Sequence, residues 1–216
     1  MRFTDERAAI VAAAHRLAAR GLTFGTGGNL SIRIDDAVVM TPSGCYLDSV
    51  TADQLVVVDL DGTVVEETPY VPTSELHIHL DVYKSTSARA VVHAHPVASI
   101  AVSNLTDELP VVHYTQSMLG GAIRVAPYAV FGSRELSDGV VAALADRTVA
   151  LMRNHGSVGY GNTLESACDS IELLDWLARI HLQAPGGTVL DQAQVVEVLE
   201  TATRRHYRAF RGGSDA

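Results

Sequence analysis

The sequence predicts a single α/β domain, three-layered as α/β/α, with a central and largely antiparallel sheet. Three observations predict it. Short β-branched runs outnumber the strands that a βαβ alternation would supply. Two of these runs, "LVVVDL" and "TVVEE", meet at Asp61-Gly62, a dipeptide suited to a tight type I′ hairpin turn. Amphipathic helical stretches are interspersed along the chain, and no linker or internal repeat divides it. The 216 residues are 47% hydrophobic and 19% charged. A chain of that length buries roughly 70% of its unfolded surface and needs no disulfide staple. The domain is expected over 1–210, with "RGGSDA", 211–216, as a frayed C-terminal tail.

The elements follow in order. Thr4, with Asp5 and Glu6 behind it, starts a helix that ends at Gly21. "GLTFGTGGN" is too rich in glycine for regular structure. "LSIRI" and "AVVMT" are strands around a turn at Asp35 and Asp36. A short helical stretch near Thr51 precedes the hairpin. "SELHIHLDVYKS" is a helix with Ser74 near its start. "RAVVHAH" is a strand and "VASIAVSNL" a helix. "VVHYT" and "AIRVAPY" are strand candidates, and "SRELSDGVVAALAD" is an amphipathic helix. "TVALMRNHGSVGYG" reads as strand, turn and strand. Asn162 with Glu165 forms a capping pattern that opens a helix to about Gln183, and a last helix covers about 191 to 210.

Composition excludes several functions. The net charge of −9 argues against nucleic acid bound through a general basic field. No uncharged apolar run reaches the roughly 18 residues that a membrane span needs. The first twenty residues carry acids and arginines throughout and so do not form a signal peptide. Two cysteines, Cys45 and Cys168, lie far apart and outside any CxxC pair, which suits a reducing compartment. A cytoplasmic protein is expected.

Chemistry is concentrated in "AVVHAHP", where His93 and His95 stand at strand spacing i, i+2. Such side chains share a face about 6.6–7 Å apart, so two imidazoles can tilt toward one metal ion. Glu75 lies near the start of the preceding helix. His155, in "RNHG", sits where a strand ends at a glycine turn. Three histidines and a carboxylate form a plausible zinc set. His79 is an alternative ligand, four residues from Glu75 on one helix face, whereas His77 faces elsewhere. His113 is read as structural.

Three small turns are rich in hydroxyls: "GTGGN" at 25–29, "TPSG" at 41–44 and "PTSE" at 72–75. Together they offer backbone N–H groups, hydroxyls, an amide and a helix N-terminus, the parts of an anion site that needs no lysine or arginine. No GK[ST] follows any glycine run, so a nucleotide P-loop is excluded. Likewise no HExxH is present, which disfavours a zinc hydrolase.

In this order, "GTGGNLSIR", "MTPSG", "PTSELHIH", "VVHAHP", "APYAVFGSREL" and "NHG" resemble the class II aldolases of the fuculose-phosphate type. The wider family also holds ribulose-phosphate 4-epimerases, methylthioribulose-phosphate dehydratases and adducin-like domains. The resemblance spans about residues 5 to 183. It implies one Zn²⁺ per subunit held by His93, His95 and His155, with Glu75 as fourth ligand and base. It implies a phosphate pocket formed by Thr26, Asn29, Ser43, Gly44, Thr73 and Ser74. Thr73 and Ser43 replace other small residues common in the aldolases, and both keep a hydroxyl. The resemblance further implies a homotetramer with active sites between subunits, where Tyr114 reaches the neighbour's substrate. Tyr207 is a candidate for the tail tyrosine of the aldolases, although this tail diverges. Glu75, where epimerases usually carry aspartate, favours an aldolase. Dehydratases and decarboxylases remain alternatives, and adducin-like members lack the metal histidines.

Aldol cleavage must stabilise an enolate, either through a lysine Schiff base or through a Lewis-acid metal. Of 16 basic residues only Lys84 is lysine, at the end of a predicted helix beside the polar loop "STSAR". Composition therefore argues for the metal route without the resemblance. The substrate expected is a ketose 1-phosphate, released as dihydroxyacetone phosphate and an aldehyde. Glu75 would take the proton of the three-carbon unit in the reverse direction, and Tyr114 would protonate the aldehyde oxygen. Phe131 is expected on the apolar side of the aldehyde end.

Overall fold

The register of two strands sets the site. β1 (Asn29–Ile34) pairs antiparallel with β4 (Ala90–Ala94), so that Asn29 lies opposite His93 and Ser31 opposite Val91. The computed structural model describes residues 2–205. The proposed tail at 211–216 and Tyr207 lie outside the described residues.

Beyond this pair the sheet continues through β2 (Ala37–Met40) and β3 (Val56–Asp59) on one side. On the other side follow β8 (Gly156–Gly161), β7 (Val149–Met152), β6 (Ile123–Ala126) and the short β5 (Glu108–Leu109). All neighbours run antiparallel except β6 and β7. Helices cover both faces. Strand residues alternate between two apolar clusters, as the pleat requires. Val38, Met40, Val56, Val58 and Val91 pack with α2 (Leu76–Ser85) and α4 (Arg134–Ala143). Val39, Val57, Ala90 and Val92 pack with α1 (Thr4–Ala19) and α5 (Leu164–Gln183). A third cluster gathers α3 (Val97–Leu105), β7 and the second half of α5. α6 (Gln192–Arg204) follows, with Asp191 at its N-cap. No described helix is long and apolar enough to cross a membrane.

Four local expectations are corrected. The Asp61-Gly62 turn is not type I′, because only Gly62 has positive φ. The Asp59 side chain instead accepts from the N–H groups of Asp61 and Thr63, and the return strand shrinks to one bridge between Val58 and Val64. "VVHYT" is not a strand; Tyr114–Leu119 is a 3₁₀ helix. The Gln116 side chain bonds the carbonyls of Leu109 and Pro110 and the N–H of Val112, taking the partners a strand ladder would use. The cap of α5 lies one residue later than expected. Thr163 and Ser166 form the box, because Ser166 can reach back to the Thr163 N–H. The stretch near Thr51 is only a turn closed by Gln54 N–H to the Thr51 carbonyl.

Candidate active site

Three imidazoles meet at one end of the sheet. His93 is the penultimate residue of β4, and His95 lies just past the strand with its N–H on the Leu22 carbonyl. His155 stands on the β7–β8 turn, with its N–H on the Met152 carbonyl. Ring centroids are 4.7, 4.9 and 5.1 Å apart, each pair edge to face. One ligating nitrogen from each ring lies within 4.8 Å of the others. The Nδ1–H of His93 donates to the Ser157 carbonyl at 3.0 Å, so its Nε2 is turned inward.

Glu75 is the N-cap residue of α2, yet its side chain makes no cap bond. It turns to the histidines. Oε2 lies 3.0 Å from His93 Nε2, and Oε1 lies 3.3 Å from His155 Nε2. Burial by itself would raise this carboxyl, but the charge and hydrogen bond of His93, with His155 and Asn29, hold it below the usual carboxylate range. His93 shifts the other way: burial opposes its charge, and Glu75 more than restores it. Burial, reinforced by the His93 charge, pushes His95 down to about 3 and His155 down to about 4. Two neutral rings and an anionic oxygen are what a divalent cation needs.

The donor set fits such an ion. Four-coordinate zinc with donors at 2.0–2.1 Å places them about 3.4 Å from one another. The Nε2 atoms of His93 and His95 stand 2.8 Å apart, close enough for both to reach one cation. Glu75 Oε1 is buried and has no hydrogen-bond partner among the described residues. Unsatisfied buried oxygens are rare, and a metal would satisfy this one.

Glycines make the convergence possible. A Cβ on Gly27 would come within 2.5 Å of His95 Nδ1 and 2.8 Å of its Cε1. One on Gly156 would come within 2.8 Å of His95 Cδ2 and 3.2 Å of His93 Cε1. The glycines of "GTGGN" and "NHG" therefore leave room for rings.

Above this floor opens a pocket of about 380 Å³. Of the expected residues, Thr26, Asn29, Gly44, Thr73, Ser74, Glu75, His95, Phe131 and His155 line it. His93 lies fully buried beneath. Ser43 is exposed outside the lining, its N–H on the Val71 carbonyl. Tyr114 is also outside, half-exposed and stacked on His113. His113 in turn meets Trp176 edge to face, a packing role. His79 is not in the imidazole group, because Asn29 and Ser31 occupy its two ring nitrogens. Tyr128, Ala129 and Asn154 line the pocket without having been anticipated. Asn154 carried a usable signal, since asparagine within the turn "RNHG" is the non-glycine residue type best suited to the left-handed φ of 56 found there. Lys84 is far from this chemistry, about half exposed and 4.0 Å from Asp61.

The chain is similar to known proteins in both sequence and fold. Residues 8–182 match the family described as Class II Aldolase and Adducin N-terminal domain. The L-fuculose phosphate aldolase of Escherichia coli (strain K12) is 37% identical over 186 residues, covering 83% of this chain and 86% of that protein. The 5-deoxy-D-ribulose 1-phosphate aldolase of Bacillus thuringiensis serovar kurstaki is 36% identical over 186 residues, covering 85% and 87%. A solved L-fuculose 1-phosphate aldolase superposes with a TM-score of 0.89 at 30% identity, covering 94% of this chain and 98% of that one.

Proposed function

The chain belongs to the class II aldolase and adducin family, and from that premise we propose that it is a lyase cleaving a ketose 1-phosphate reversibly into dihydroxyacetone phosphate and an aldehyde. The observation that carries this reading is the convergence of His93, His95, His155 and Glu75 on the floor of a pocket that no lysine enters. The fold beneath it is taken as a three-layer α/β/α domain over 1–210 with a largely antiparallel sheet.

His93, His95 and His155, with Glu75, would hold a Zn²⁺ ion. A divalent ion there supplies the Lewis acidity that stabilises the negative charge left when the carbon–carbon bond parts. The residues do the rest. Thr26, Asn29, Ser43, Gly44, Thr73 and Ser74 receive the phosphate through hydroxyls, an amide and backbone N–H groups. This suits an acidic protein, because the anion is held without lysine. Glu75 is ionised, so it can take the proton of the three-carbon unit in the condensing direction. Phe131 and Tyr128, both exposed in the single chain, cover the apolar end of the aldehyde. Tyr114 stands outside its own pocket and is proposed to enter that of a neighbouring subunit in a homotetramer, there protonating the aldehyde oxygen. Free Cys45 and Cys168 are compatible with a cytoplasmic enzyme.

The test is a panel of ketose 1-phosphates, including fuculose 1-phosphate and 5-deoxypentulose phosphates, assayed by coupled detection of dihydroxyacetone phosphate. Release of that triose phosphate is expected. Turnover to a dehydrated, decarboxylated or epimerised sugar phosphate, with no triose formed, would replace the aldolase reading.

A further inference from the structure

Beneath the pocket a single line of side chains runs away from Glu75. Asn29 Nδ2 lies 3.0 Å from Glu75 Oε2, and Asn29 Oδ1 lies 2.6 Å from His79 Nε2. His79 Nδ1 lies 2.7 Å from Ser31 Oγ, which lies 2.7 Å from the Tyr83 hydroxyl. All five residues are buried, and His79 and Ser31 completely.

Two periodicities build the line. Asn29 and Ser31 are i and i+2 on β1, about 6.6–7 Å apart on one face. Glu75, His79 and Tyr83 are i, i+4 and i+8, at and along α2, each step rising about 6 Å. The two repeats nearly match, so strand and helix interdigitate polar groups as a zipper.

Every hydrogen in the line is assigned from one end. The Glu75 carboxylate can only accept, so the Asn29 amide must turn its NH₂ toward Oε2. Its carbonyl then faces His79 Nε2, which must carry the hydrogen. His79 is fully buried with no carboxylate in contact and is therefore neutral, leaving a lone pair on Nδ1. The Ser31 hydroxyl donates to that lone pair, and the Tyr83 hydroxyl donates to Ser31. No other assignment satisfies all four contacts while Glu75 is ionised and His79 neutral.

We propose that His79, its Nε2–H directed to the Asn29 carbonyl and its Nδ1 braced by Ser31 and Tyr83, is a positioning residue that holds the Asn29 amide in place and so anchors one oxygen of Glu75. Two consequences follow. Asn29 becomes a permanent donor, and its second N–H, with no acceptor among the described residues, is available to a ligand oxygen in the pocket that Asn29 lines. Glu75 is held asymmetrically: Asn29 donates to Oε2, whereas Oε1 has no hydrogen-bond partner among the described residues. A reversed amide would set carbonyl against carboxylate and lose both effects. The kinetic part of this inference rests on the aldolase reading, whereas the tautomer does not.

The experiment uses the full chain loaded with zinc. Imidazole ¹⁵N shifts of His79, assigned with His79→Gln, report the tautomer. The unaltered protein should show hydrogen on Nε2, and Ser31→Ala should keep it there while the Nδ1 resonance shifts with the loss of its hydrogen bond. With the best ketose 1-phosphate, Ser31→Ala should lose about tenfold in kcat, at unchanged zinc content. Ser31→Thr, which keeps the hydroxyl, should return to within about threefold of the unaltered enzyme. Tyr83→Phe should fall between. Hydrogen on Nδ1 in the unaltered protein overturns the relay, as does a kcat for Ser31→Ala within twofold of normal. If no ketose 1-phosphate is cleaved, the aldolase reading fails and the tautomer alone decides the relay.

Discussion

Glu75 Oε2 stands 3.0 Å from Nε2 of His93, a residue 18 positions later and on a different element. Helix α2 and strand β4 are needed to bring them together, and the contact joins the proposed base to the proposed metal ligands.

Removing a ring should remove the ion. His93→Ala and His155→Ala are expected to purify with little or no bound metal, measured by elemental analysis. A site of this kind loses most of its affinity with one ligand of three or four. Full metal content in both variants would overturn the ligand assignment.

Glu75→Gln keeps the volume and removes the charge. It should fold normally and lose about 10²–10⁴ in turnover. Tyr114→Phe should also be slow. If Tyr114 acts in the neighbour's pocket, co-assembling these two variants should regenerate some active sites and activity above either alone. Mixtures no faster than the separate variants would confine Tyr114 to packing.

Gly27→Ala tests the room left for His95. Gly27 is not in the left-handed region, so its backbone tolerates alanine, but the new Cβ would strike the ring. Metal affinity should fall at least about tenfold, with the thermal midpoint of the metal-free chain nearly unchanged. Gly156→Ala meets the Ala94 carbonyl as well as both rings and should destabilise the chain itself. A calorimetric metal titration beside a thermal melt separates the two.

The metal-free chain should lose stability on acidification. His79 and His95 sit near 3 and His155 near 4, all below the ordinary histidine value of 6.5. Below pH 6.5 the unfolded chain binds protons that these buried rings refuse. Their contribution is therefore complete above pH 6.5 and is lost as pH falls toward 3–4. His93 opposes this trend, because its raised value favours the folded state below pH 6.5. Fully buried His79 should account for about 1.4 kcal/mol per pH unit between those limits. Urea unfolding at several pH values should show that slope reduced in His79→Gln. An unchanged slope would mean that His79 already carries its proton in the folded chain.

The sequence was informative where local physics decides. Strand period and β-branched runs located β1, β2, β3, β4, β6, β7 and β8. The spacing of His93 and His95 pointed to shared ligation although the strand ends at Ala94. Where side chains compete with the ladder, the sequence was ambiguous: Gln116 turned an expected strand into a 3₁₀ helix, and Asp59 reshaped the Asp61-Gly62 turn.

By itself the sequence determined the element order, the candidate donors Glu75, His93, His95 and His155, and the lack of a lysine suited to a Schiff base. These are properties of residue type and short-range period. Only the tertiary structure decided that His79 turns to Asn29 and not to the histidines, and that Tyr114 stands outside its own pocket. Those outcomes depend on the register between β1 and β4 and on how α2 packs across them. Register is set by burial summed over the whole sheet, so no local window of residues contains it.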